Sequence, residues 1–175
     1  IQTPTVTGVT VIRAGTTAEL PFAYAAIGDD IVLRGTSLSG PITNVSFGDV
    51  MVAAKQAEPT RVVATIPDAT IPGVGPIPAE LQLQPGVRTT KVIVRDPLVP
   101  GRSFASNEAA FMLVPSVIPA LLAYAAGPRR LTIQGVRLIG ASTGGETVIG
   151  RSVVARGAYL SATPAQIVVP VGLAL

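Results

Sequence analysis

Apolar and polar residues alternate in short runs along this chain, and Gly, Pro, Asn or Asp interrupts each run after a few positions, which predicts strands joined by turns. Residues 3–13, TPTVTGVTVIR, read as an opening strand with Gly8 a bulge or bend. Leu20, Phe22 and Tyr24 stand two apart, a spacing that puts three large side chains on one face of an extended segment. Gly28-Asp29-Asp30 makes a turn into a strand over residues 31–34. Residues 44–47 and 50–54 flank Gly48-Asp49, a two-residue hairpin signal between apolar alternations. A strand over residues 60–66 stops at Pro67, and Pro and Gly then crowd residues 68–84 into a long loop or ragged edge strand. Residues 87–95 are the clearest amphipathic strand, with Thr89, Lys91, Ile93 and Arg95 on one face. Residues 104–114 follow, with a turn expected at Ser106-Asn107.

The pattern repeats. Residues 31–40, IVLRGTSLSG, return as residues 131–140, LTIQGVRLIG; FGDVMVA at 47–53 returns as IGRSVVA at 149–155; PTRVVATIP at 59–67 returns as PAQIVVP at 164–170. The offset stays between 100 and 105 residues, so the chain reads as one complete β domain, residues 1–115, and a partial copy, residues 116–175. Seven or so antiparallel strands without an intervening helix predict an all-β, immunoglobulin-like sandwich. Val32, Val45, Phe47, Val62, Val92 and Phe111 are its expected core. The second copy stops soon after Pro170, without the last two strands of the first. Alone it is expected to be unstable, and its strand at Ile167–Val169 and its Val153-Val154 face are expected to be covered by residues beyond Leu175 or by a neighbouring subunit that adds strands.

Composition narrows the functional classes. Only 13% of residues are charged, against about 25% in ordinary soluble domains, so the surface is either sticky or covered. The net charge of +3 comes from Arg scattered along the chain, with few aromatics, which argues against nucleic-acid binding. Residues 109–127 contain no charge over about the length of a membrane span, but Pro115 and Pro119 divide them into a closing strand, a linker and an opening strand. No secretory signal precedes the domain and the chain opens on Ile1, so the expectation is a piece of a longer polypeptide.

The chain has no His and no Cys, which removes the commonest general base and the commonest soft metal ligands. Ser hydroxyls could be activated only by Lys55 or Lys91, both on expected exposed positions. The ten carboxylates are dispersed; the Asp29-Asp30 pair lacks the six or more oxygens that calcium takes and reads as turn chemistry. Gly144-Gly145 and the loop at 71–75 have neither the Gly-Lys-Ser nor the helix of a phosphate loop. No catalytic, cofactor-binding or metal residue is assigned, no cofactor is expected, and the chain is expected not to be an enzyme.

Two resemblances add to this. Gly28, Ile31, Gly35, Leu38, Gly40, Val45, Phe47, Gly48, Thr60, Val62, Ala64 and Pro67 stand where the IPT/TIG family of immunoglobulin-like domains has its motif, and residues 28–114 resemble that family. The second copy keeps Gly135, Leu138, Gly140, Gly150 and Pro170 and has Ile149 in place of the Phe. More narrowly, LQPGV, VIVRDPLVPGR and SNEAAFMLVP look like the C-terminal region of the cap proteins of contractile injection systems, through Gly86, Val87, Arg102, Ser106, Asn107, Ala110, Phe111, Leu113 and Pro115. That resemblance implies a structural module in a phage-tail-like particle, assembled in the cytoplasm and released. Its partners would be copies of itself, as a homo-oligomer, and tube or sheath subunits. The alternative is a cell-surface or secreted binding module for protein or carbohydrate. Neither reading includes nucleic acid or a membrane span.

Overall fold

The computed structural model describes residues 2–99, 101–140 and 144–172. The chain is an all-β, sandwich-like protein: strands make up 51% of it and, among the described residues, no helix reaches seven residues. It divides into two compact units, Ile1–Leu113 and Val114–Leu175.

Unit 1 contains β1 (Thr5–Ile12), β2 (Glu19–Leu20), β3 (Tyr24–Ala25), β4 (Asp30–Thr36), β5 (Ile42–Phe47), β6 (Val50–Ala53), β7 (Gln56–Glu58), β8 (Arg61–Thr65), β9 (Thr70–Ile71), β10 (Gly75–Pro76), β11 (Gly86–Arg95), β12 (Ser103–Ala105) and β13 (Ala109–Leu113). One sheet runs β2-β1-β4-β8-β7 and the other β3-β13-β11-β5-β6, with β12 also on β11. Alternation turns one row of each sheet inward, and the two rows meet in a single core that includes Ile31, Leu33, Leu38, Val45, Phe47, Val62, Val92, Val94, Phe111 and Leu113. Phe47 and Phe111 touch edge to face with ring centroids 5.9 Å apart, a geometry that aromatic quadrupoles favour.

Of the expected core, Val45, Phe47, Val62, Val92 and Phe111 are in this cluster, but Val32 is not. Val32 is fully buried, yet Ile31 and Leu33 on either side of it point inward, so Val32 faces the outside of its sheet. A polar layer lies over that side: Glu19 receives hydrogen bonds from Arg34 at 2.9 and 3.0 Å, and Asp30 pairs with Lys55 at 2.7 Å. The segment carrying Leu20, Phe22 and Tyr24 is also not one extended run. It crosses between sheets, β2 pairing with β1 and β3 running parallel to β13. β7, absent from the sequence reading, extends the first sheet beside β8.

Ser106-Asn107 is a bulge rather than a turn. β12 and β13 form one line along β11, and at the interruption the Ser106 hydroxyl accepts the Val92 N–H at 3.0 Å. The Asn107 amide reaches to the other sheet: its Oδ1 accepts the Val6 N–H at 2.8 Å and its Nδ2 donates to the Val6 carbonyl at 2.9 Å. A side-chain amide thus stands in for a neighbouring strand. The expected bulge in β1 lies at the same place, where the register shifts between Val6 and Gly8.

Unit 2 contains β14 (Ser116–Val117), β15 (Ala123–Ala125), β16 (Arg130–Val136), β17 (Glu146–Ile149), β18 (Ser152–Ala155), β19 (Ser161–Ala162) and β20 (Gln166–Pro170). Its main sheet runs β14-β16-β20-β19 with β15 also on β16, and β17-β18 is a separate hairpin. The repeat holds at the level of single bonds. Gly35 N–H donates to the Thr60 carbonyl and Leu38 N–H to Pro59; Gly135 donates to Ala165 and Leu138 to Pro164. Ser37 and Arg137 both have positive φ, 56° and 54°. The motif glycine has a steric cause in each copy: a Cβ on Gly35 would strike the carbonyl of Thr5, and one on Gly135 the carbonyl of Ser116. The core of unit 2 is small, with Ile133, Ile167 and Val169 buried and Leu131, Leu138, Ile149 and Val154 partly so. Ile167 and Val169 are therefore covered within the unit, contrary to the expectation that another segment covers them; Val153 is 59% exposed.

Candidate binding surface

The residues that could have suggested chemistry are tied into the scaffold. The buried Asp29 carboxylate accepts Arg13 at 2.6 Å and the backbone N–H groups of Ala14 and Ala26 at 2.9 and 2.8 Å, which is turn chemistry. Asp30 is held by Lys55 and Thr65. Among the described residues no group of three or more potential metal ligands converges. Lys55 and Lys91, the possible activators of a Ser, face carboxylates instead, Asp30 at 2.7 Å and Glu108 at 3.8 Å. Glu19 is held below the ordinary carboxylate pKa, first by the hydrogen bond from Thr10, against which burial works, and then by Arg34 and Arg61.

What the fold builds is a surface. On the outer face of the second sheet Tyr24 lies opposite Met112, and Met112 opposite Val87. Their sequence neighbours Ala25, Phe111 and Leu113 are buried, so the pleat turns Tyr24, Met112 and Val87 outward together. Tyr24 is 53% and Val87 65% exposed. Phe22 joins them, its ring centroid 5.6 Å from that of Tyr24. The parallel β3-β13 pair holds this row in place, with Met112 N–H donating to the Ala23 carbonyl at 2.8 Å. A second apolar feature of unit 1 is a groove of about 330 Å³ lined by Val52, Ile66, Pro67, Ile71 and Pro72, with Lys55 at its rim.

Sequence reasoning assigned no binding residue and missed this row, because Tyr24, Val87 and Met112 are far apart until the register joins them. It also treated Arg as scattered. Divided at the unit boundary, residues 1–113 carry eight Lys and Arg against nine Asp and Glu, and residues 114–175 carry five Arg against one Glu. The surplus positive charge belongs to unit 2.

No protein family matches the chain, and no curated protein matches it. Among solved structures it is similar to the surface glycan-binding protein PbSGBP-B from Prevotella bryantii, at 17% identity and a TM-score of 0.47. The alignment covers 99% of this chain and 38% of that one, so the chain spans well under two thirds of that protein's length. Among the described residues, no helix is long and apolar enough to cross a membrane.

Proposed function

We propose that the chain is a non-catalytic binding module of the IPT/TIG type, at a cell surface or secreted, that holds a protein or glycan partner on the outer face of its second sheet. The observation that carries this reading is the outward row of exposed Tyr24, half-buried Met112 and exposed Val87 on three paired strands, with exposed Phe22 packed beside Tyr24. The Tyr24 ring, with its apolar body and polar hydroxyl tip, and the apolar Phe22 ring beside it suit both sugar stacking and protein contact. A rigid strand scaffold loses little order on binding. The family assignment is supported by the causes found for its motif: close approach at Gly35, burial of Leu38, Val45 and Phe47, and the positive φ of Gly48 in its hairpin.

The test is a glycan array and a pull-down with candidate surface proteins, each followed by titration of the wild-type chain, Tyr24→Ala and Val87→Lys. Loss of a central contact should weaken binding by about tenfold. A glycan hit that Tyr24→Ala weakens to this extent assigns the carbohydrate version, and a protein hit with the same sensitivity assigns the other. Partners that bind both variants as tightly as wild type would move the site off this face.

The injection-particle reading is a second one, favoured by the low charge and the exposed apolar residues. Four of the nine residues behind that likeness do fold work. Ser106 and Asn107 make the bulge, and Phe111 and Leu113 lie in the core. They bear on the sandwich more than on an assembly. Genes for sheath and tube subunits beside the coding sequence would support the particle.

A further inference from the structure

We infer that the partner on the outer face of the second sheet is a neutral oligosaccharide, and that a cleft beside Val87 is the subsite that takes its hydroxyls. The assignment rests on that face being the binding surface, and it names the ligand. The cleft holds about 330 Å³, and Val87 belongs both to it and to the outward row. The Gly48-Asp49 turn between β5 and β6 forms one side of it and residues 80–84 another, and the buried Phe47 and Leu83 also line it. Both sides are held in place. The Gly48 N–H donates to the Thr89 carbonyl at 3.3 Å, and the Ser46 hydroxyl donates to the Gly48 carbonyl. Opposite, the Arg88 guanidinium donates to the Gln84 and Pro85 carbonyls at 2.6 and 3.1 Å, so the site is formed before a ligand arrives.

Register sets the length of the site. Tyr24, Met112 and Val87 lie opposite one another on β3, β13 and β11, and the bond from Gly48 to Thr89 puts the β5–β6 turn on the next position across. Tyr24 and the turn are therefore three strand spacings of about 4.8 Å apart. That is more than one sugar ring spans, so the ligand is a chain of linked sugars. A sugar ring has an apolar C–H face and a rim of hydroxyls. The Phe22 and Tyr24 rings and Val87 meet the first; Asp49, Glu80 and Gln84 in the cleft meet the second. Among the described residues Asp49 and Glu80 form no ion pair, so their oxygens are open to hydroxyl donors, in bonds roughly twice as strong as neutral ones. Gln84 Nε2 donates to the Gln82 carbonyl at 3.4 Å, which leaves its Oε1 as a further acceptor.

Size and charge set the class of ligand. A protein interface centred on Val87 would bury Asp49 and Glu80, and the cores of protein interfaces are depleted in both residue types. The cleft instead has the volume of a small-ligand site, with a few polar groups around an apolar floor. Two carboxylates stand against the single Arg88 guanidinium, which is already engaged by backbone carbonyls. A sugar acid would meet like charge there. Neutral sugars meet none.

The test is native affinity electrophoresis of the whole 175-residue chain through gels containing xylan, glucomannan, mixed-linkage β-glucan or dextran. At least one of these neutral polymers should retard the chain. Its own oligosaccharides should compete the retardation away, and oligogalacturonates, the acidic probe, should not. Asp49→Asn combined with Glu80→Gln keeps the shape of the cleft and removes its charge. It should weaken binding by about tenfold with Tm unchanged, as should Tyr24→Ala. If the double variant shifts the Tm, Glu80→Gln alone, at an exposed position, reads the same contact. Retardation that Tyr24→Ala weakens and the cleft variants leave as in wild type would overturn the cleft and keep the face. Retardation that none of the variants alters would overturn both. A protein partner held through Tyr24 with no polymer retarding the chain, oligogalacturonates that compete as well as the neutral oligosaccharides, or no retardation at all would overturn the assignment of a neutral glycan.

Discussion

Replacing Gly35 by Ala tests the steric origin of the repeated motif. A Cβ at Gly35 would lie 2.9 Å from the Thr5 carbonyl carbon and 3.0 Å from Val6 Cα, and nearer still to the Thr5 oxygen, where ordinary contact begins at 3.4 Å. All three atoms are backbone, so no side chain can swing aside and β1 itself must move. That displacement pulls Val6 from the Asn107 amide, whose two hydrogen bonds contribute about 1 kcal/mol each. It also uncovers a Val side chain whose burial contributes about 1.5–3 kcal/mol. The expected loss is about 3–5 kcal/mol, a large share of the stability of a domain this size, or a fall in Tm of about 10–20 °C. Calorimetry with amide exchange resolved by unit is the assay, and Gly8→Ala, with nothing within 4 Å of its Cβ, is the control. Gly135→Ala should act on unit 2 alone, its Cβ falling 2.6 Å from Leu138 Cδ2 and 3.0 Å from the Ser116 carbonyl carbon. A Gly35→Ala protein melting within a degree or so of wild type would refute the close approach and the account of the motif built on it.

Phe111→Ala removes one half of the Phe47 edge-to-face pair from a site only 2% exposed and should cost about 3–5 kcal/mol in chemical denaturation; an unchanged midpoint would contradict its place in the core. Glu19 has a folded pKa below its unfolded value, so its contribution is complete above the unfolded value and is lost as pH falls through the folded one. Glu19→Gln should therefore flatten the acid limb of unit 1 stability below about pH 5, measured as Tm against pH, and an acid limb as steep as in wild type would exclude Glu19 as its source.

The strands and the repeat were legible because their markers are local. A glycine that two backbones press against, a residue able to take positive φ two places on, and a leucine after it occur together in both copies. The face of Val32 was not legible, since Ile31-Val32-Leu33 has no polar member to mark the outside and the covering layer of Glu19, Arg34 and Lys55 is assembled from distant segments. Two-residue spacing placed Leu20 and Tyr24 on a common face but carried no information on which sheet each would join. Asn107 looked like a turn residue because Asn favours turns; its use as a substitute strand depends on Val6, 101 positions away. The exposed row was hidden for the same reason, being a property of register rather than of any segment.

The parallel alignment of β3 with β13 also decides how unit 1 bears tension. In a parallel pair the chain enters one strand and leaves the other at opposite ends, so a pull along the pair slides the two past each other and strains their hydrogen bonds together. An antiparallel hairpin such as β5-β6 would instead open one bond at a time from its ends. The Asn107 amide adds a crosspiece between β1 and the line of β12 and β13, the first and last strands of the unit. Pulled by its two ends, unit 1 should thus resist as a brace rather than unzip.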